Sequence, residues 1–266
     1  MKKYLTYFRL RVICELQYRA AALAGLSTQF FFGFIQVMIY MAFYHHATTV
    51  PINLNQLITL VWLQQAFYSV IIYRDLDYDL LLMIENGDIA YELCRPFNLY
   101  FTWYIKILSK KITRVSIRSL PVIVLGLLLK SPYNLSLPYS LTSFLLFILT
   151  ISLGTILVTS IVTLIHIITF FTIKSNGVLN IITTISELLS GFIIPIPLMP
   201  EVMKKLIYYL PFRYVGDFPF RVYSGNIIGN ELTLSLIVQI SYILFFIILG
   251  YFLIQKALSK VVVQGG

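Results

Sequence analysis

Charge is scarce in this sequence. Of 266 residues, 12 % are Asp, Glu, Lys or Arg, and 59 % are hydrophobic. Soluble domains run near about 25 % charged and 45–50 % apolar. The composition therefore excludes an ordinary soluble domain and predicts an all-α integral membrane protein with several spans. Cysteine is almost missing. Cys14 and Cys94 stand far apart, which gives neither a disulfide framework nor a cysteine metal cluster. Histidine is equally sparse. His45 and His46 are neighbours with no further ligand nearby, and His166 lies alone in another segment, where it reads as a packed, hydrogen-bonded side chain. No glycine precedes a lysine, so there is no G-x-x-x-x-G-K-[ST] phosphate loop. Nor is there a nucleophile elbow or a His-Glu-x-x-His motif. No catalytic residue, metal or bound cofactor is expected on this chain.

The few carboxylates are concentrated. Six of the eleven acidic residues, Asp75, Asp77, Asp79, Glu85, Asp88 and Glu92, fall in one island from Arg74 to Arg95, RDLDYDLLLMIENGDIAYELCR. Long apolar runs flank it on both sides. An ionised group at bilayer depth is costly, so the island is expected in water, on one face of the membrane, as a docking surface for a soluble partner. Its pattern reads helix, turn, helix. Leu76, Leu80, Met83 and Ile84 form an apolar stripe at spacings of three and four. Asn86-Gly87 is a stop signal, with glycine suited to the left-handed C-cap. Asp88 is a good N-cap for a second short helix, and Arg95-Pro96 ends it.

In order, residues 1–19 predict a basic interface helix at the membrane surface. Six spans are expected at about 20–44, 56–73, 115–129, 139–172, 177–194 and 232–254. The stretch 97–118, with Lys106, Lys110, Lys111, Arg114 and Arg118, is expected to run along the membrane and enter it near Ile112, with a kink or start at Pro121. The whole of 74–114 forms one water-facing region. Glu187 is the one carboxylate inside a span. It reads equally well as a functional group and as an Arg-paired structural group near the outer end of its helix. Prolines 195, 197, 200, 211 and 219 break 195–231 into short amphipathic or re-entrant pieces, tolerated at membrane depth only inside protein or beside a water-filled cavity.

The net charge is +9. Basic balance can signal nucleic acid, but in a membrane chain Lys and Arg flank spans on the cytoplasmic side; no nucleic-acid partner is expected. With the N-terminus inside, five basic residues precede the first span, seven run from Arg74 to Arg118, one is Lys174 and two lie in the tail, fifteen inside against five outside. Both termini and the island are thus expected in the cytoplasm. The start mixes charge with apolar residues out to Arg19 and does not read as a signal peptide.

The stretch IENGDIAYELCRPFN, residues 84–98, together with LSGFIIPIPLMPEVMKKLIYYLPF, residues 189–212, resembles the membrane subunit of bacterial type-2 ATP-binding-cassette exporters. It looks closest to the branch of roughly 260-residue six-span permeases, and the resemblance covers nearly the whole chain. It implies a single permease domain, 1–266, in the bacterial plasma membrane. It also implies that the chain pairs with a second permease subunit, identical or paralogous, and sits on a separate ATPase subunit that holds ATP and magnesium. The island would then be the coupling helix, with Asp79, Glu85, Asn86, Gly87, Asp88, Glu92, Arg95 and Pro96 at the contact. Glu187, Gly191, Pro195 and Pro197 would line or gate the outer end of the path. The implied cargo is hydrophobic or amphipathic, such as a drug, peptide or lipid. Two other readings are an ion-coupled secondary carrier, which usually shows internal repeats, and a non-transporting scaffold or sensor subunit.

Overall fold

The computed structural model describes residues 2–17, 19–46, 50–94, 96–172 and 175–259. Among these the secondary structure is helical, with no strand. Helix α1, Lys2–Gln17, precedes α2, Arg19–His46. Next come α3, Leu54–Ala66, and α4, Tyr68–Ile71. The island follows as α5, Tyr78–Glu85, and α6, Ile89–Leu93. Helix α7, Leu99–Leu128, leads to α8, Leu141–Ile168, and α9, Ser175–Leu189. Two short helices, α10, Glu201–Tyr208, and α11, Asp217–Tyr223, each preceded by a 3-10 turn, lead into α12, Gly229–Leu258.

Cross-helix contacts fix the directions. Trp103, near the start of α7, stacks on Phe170 just past the end of α8, and the Gly126 carbonyl, near the end of α7, accepts from Leu135 in the connection into α8, 2.9 Å, so α7 and α8 are antiparallel; Tyr104 also donates to the Ile156 carbonyl of α8, 3.1 Å. Gly250 of α12 lies against Tyr100, and Gln239 lies against Thr150, so α8 and α12 run the same way. We call the end that holds α1, α5 and α6 basal and the other end distal. The core centres on Trp62, Trp103, Phe147, Phe218 and Phe220, all nearly or fully buried. Trp62 satisfies its indole N–H on the Tyr133 carbonyl, 2.8 Å, as buried indoles usually do, whereas the Trp103 N–H has no such partner. Phe31, Phe43, Leu244, Phe245 and Phe252 project outward from α2 and α12, the apolar exterior that lipid requires.

Three helices are long and apolar enough to cross a membrane: Gly25–His45, Leu141–Phe171 and Gly229–Leu258. The other three expected spans take different forms. The second is broken at Phe67, leaving 13 residues in α3 and four in α4. The third is not a 15-residue span entered from a surface helix. It is the upper part of one continuous 30-residue helix, with Pro121 inside rather than at its start. Lys106 and Lys110 face carboxylates of the island, and Lys111 faces the Ser69 and Ile72 carbonyls. The fifth, α9, stops at Leu189 after 15 residues, about 22 Å. Gly191, at φ +82°, turns the chain there.

Segment 195–231 re-enters the bundle instead of capping it. Gly154 on α8 faces the Val215 carbonyl so closely that an added Cβ would stand 2.9 Å from that oxygen. The Gln239 side-chain amide donates to the carbonyls of both Thr150, 2.9 Å, and Tyr214, 2.8 Å, pinning α8, α12 and the re-entrant chain together. Such bonding is what permits irregular backbone at depth.

Candidate functional site

The site is built on the island and the helix behind it. From Ile72 to Asp77 the chain is extended and non-helical. Along α7, Lys106, Lys110, Arg114 and Arg118 recur every four residues, one stripe on one helix face. Two extended residues advance ~6.6 Å, and four helical residues advance ~6.0 Å. The two spacings mesh into an ion-pair ladder. Asp75 meets Arg114 at 2.6 Å and Lys110 at 3.0 Å. Asp77 meets Lys106 at 2.9 Å, and Asp79 lies 3.5 Å from the same lysine. Arg114 also reaches Glu15 of α1 at 3.6 Å.

Asp77 is the keystone. Its Oδ1 caps α5 by accepting from the Leu80 N–H, 3.3 Å, and its own N–H donates to His166 Nε2, 2.9 Å. The His166 Nδ1 sits 2.7 Å from the Val162 carbonyl. Since Nε2 accepts, Nδ1 carries the hydrogen and donates it. His166 is thus the packed, hydrogen-bonded side chain that its place in the sequence suggested. Burial works to raise the Asp75 carboxyl, but Lys110, Lys111 and Arg114 outweigh it and hold it below the usual carboxylate range. For Asp77 burial is likewise outweighed, by Lys106 above all, then Lys110 and the Leu80 N–H. Fully buried Lys111 donates to the carbonyls of Ser69 and Ile72, both at 3.0 Å. Those are backbone groups freed where the helix breaks after Ile71.

The island is therefore not uniformly solvated. Its root, Asp75 to Leu81, is largely buried; Leu80 and Leu81 pack into the core and Asp77 is 8 % exposed. Its tip is in solvent. Glu85, Asn86, Gly87 and Asp88 are all exposed, with Gly87 at φ +79° in the turn between α5 and α6. Glu92 is half-buried, and exposed Pro96 accepts from Lys3 Nζ at 2.8 Å. Arg95 lies outside the described residues.

The second set of predicted residues is placed differently. Glu187 is buried, 3.6 Å from Arg74, which also donates to Thr184 Oγ1 at 3.0 Å. The arginine pairing is one of the two readings the sequence offered for Glu187, which stands two residues before the end of α9. Gly191 is buried, and its carbonyl accepts from Gln64 Nε2 at 2.8 Å. Pro195 is buried and Pro197 half-buried, beside a small apolar cluster of Ile196, Met199 and Ile207. Sequence reasoning missed the clamping roles of Asp75, Asp77, Lys106 and Gln239. The four-residue recurrence of α7 cations was the available signal for the first three.

A helical membrane protein whose one acidic hairpin is locked by ion pairs to its membrane helices, with its tip presented to solvent, is a permease-type membrane subunit. The chain belongs to the ABC-2 transporters: the family model described as ABC-2 family transporter protein matches residues 24–265. It is an ABC-2 type permease, as the two motif stretches implied. A comparison with curated proteins found no match.

Proposed function

We propose that the chain is the membrane subunit of an ATP-driven exporter, working as a pair of permease subunits on a separate ATPase that binds ATP and magnesium. The observation that carries this reading is the split character of the α5–α6 hairpin. An exposed, acidic tip suits a groove on a soluble domain. A root clamped to α7 and α8, with Arg74 just before it tied to α9 and α1 joined through Arg114, moves as one body with those helices. Force applied to the tip is then delivered to the bundle rather than lost in a loop. On this reading the basal end is cytoplasmic, in the plasma membrane of a bacterium. The cargo is a hydrophobic or amphipathic compound, and Glu187, Gly191, Pro195 and Pro197 lie along its route. Gln64 and Arg74 hold two of these in place.

The test is co-purification of the full chain with the ATPase subunit. Glu85→Lys with Asp88→Arg reverses charge only at the exposed tip, so folding is expected to be unaffected while the ATPase is lost from the complex. Retention of the ATPase by this variant would refute tip docking.

A further inference from the structure

We propose that the pocket around Arg118 binds a phosphate-bearing anion. The ion-pair ladder stops one rung short. Asp75 serves Lys110 and Arg114, and Arg118, the next cation of the stripe, is left over. Among the described residues no carboxylate lies within ion-pair distance of Arg118, and its buried Nε has no hydrogen-bond partner. A guanidinium left this way is costly to keep, unless a ligand completes it.

The surroundings fit an anion. Arg118, Arg114, Arg74, Tyr68, Tyr78 and Ser69 line a pocket of about 330 Å³, with Asp75 in its wall. Lys111 sits behind that wall, bonded to the Ser69 and Ile72 carbonyls. Counting Arg74, Lys110, Lys111, Arg114 and Arg118 against Asp75, Glu187 and Glu15, cations exceed carboxylates by two. A singly charged phosphodiester, or a phosphate with up to two charges, matches that excess, and the planar guanidinium fork suits its oxygens.

The Arg118 guanidinium faces Gly25 of α2, whose added Cβ would meet its Nη2 at 3.0 Å, so the α2 backbone stands beside the guanidinium. A phospholipid phosphate and a free phosphate offer this site the same chemistry, and the experiment separates the two sources.

The experiment uses the full chain in phosphatidylcholine nanodiscs, alone, with phosphatidylglycerol, or with added inorganic phosphate. Phenylglyoxal modification of Arg118 is followed by peptide mass spectrometry, with the partly exposed Arg221 as the internal reference. Phosphatidylglycerol is expected to slow Arg118 modification about tenfold, the effect of one charge-assisted contact, with Arg221 unchanged. Slowing by inorganic phosphate to the same degree would support the phosphate site and assign it to a soluble anion; slowing only by the lipid assigns it to a headgroup. In parallel, native mass spectrometry should show Arg118→Gln retaining about tenfold less phosphatidylglycerol than wild type, and Arg118→Lys recovering part of the loss. Equal Arg118 reactivity in all three conditions overturns the proposal even if the Gln variant does not fold.

Discussion

Two regions of this permease bury charge, and they do it differently. At the basal end Asp75 and Asp77 are hydrogen-bonded to lysine and arginine at 2.6–3.0 Å. In the re-entrant segment Asp217 is 2 % exposed, its nearest cation is Arg221 at 3.8 Å, and neither carboxylate oxygen has a hydrogen-bond partner. Arg213, also buried, lies over the Tyr208 ring at 3.8 Å, with Nε and Nη2 unbonded. The first arrangement fixes geometry, because every partner is at bonding distance. The second leaves slack, because its charges attract without being held in one pose.

The contrast can be broken at its strongest point. Asp77→Ala removes the α5 cap and leaves Lys106 buried without its closest partner, so a loss of about 3–5 kcal/mol is expected, read as a large fall in the thermal unfolding midpoint in detergent. Asp77→Leu with Lys106→Met should recover much of it, since an apolar pair can replace a buried ion pair. Gly154→Ala comes next. It drives a methyl against the Val215 carbonyl and should cost about 1–3 kcal/mol while leaving the basal ladder intact, as shown by unchanged hydrogen exchange in α5.

Acid gives a smaller and more selective test. Asp75 and Asp77 have folded values below the unfolded one of about 3.9. Their contribution is fully present above about pH 4 and is lost as pH falls below it through the lower folded values. Unfolding midpoints should therefore decline below about pH 4, and less steeply in Asp77→Leu with Lys106→Met. The least effect is expected at the loose region. Asp217→Asn should change stability by less than about 1 kcal/mol, because no hydrogen bond depends on the carboxylate; a loss as large as that of Asp77→Ala would erase the distinction drawn between the regions.

Much of the architecture was legible from local chemistry. Scarce charge and long apolar runs gave a helical membrane chain, and Asn86-Gly87-Asp88 gave the turn between α5 and α6. What was not legible depended on partners distant in sequence. Lys106 to Arg118 were assigned to a surface helix because cations avoid lipid. The alternative, that they face the island, required knowing that residue 75 returns to residue 114. The burial of Asp75 and Asp77 follows from the same contact. The end of α9 at Leu189 was not legible either, because the apolar run continues past it, whereas the helix ends there and Gly191 turns the chain. The recurrence of α7 cations at intervals of four was visible throughout, and it is the pattern that ties the two halves of the site together.

The unbroken course of α7 has a mechanical corollary. Thirty helical residues make a rod of about 45 Å, gripped near one end by Asp75 and Asp77 and seated near the other with Gly126 against Trp62 and Leu135. A tilt of about 10° at the grip, between Lys106 and Arg114, would swing the far end by about 4–6 Å. Were the basal surface to move in this way, α7 would serve as a lever arm whose fulcrum is set by where the ion pairs end.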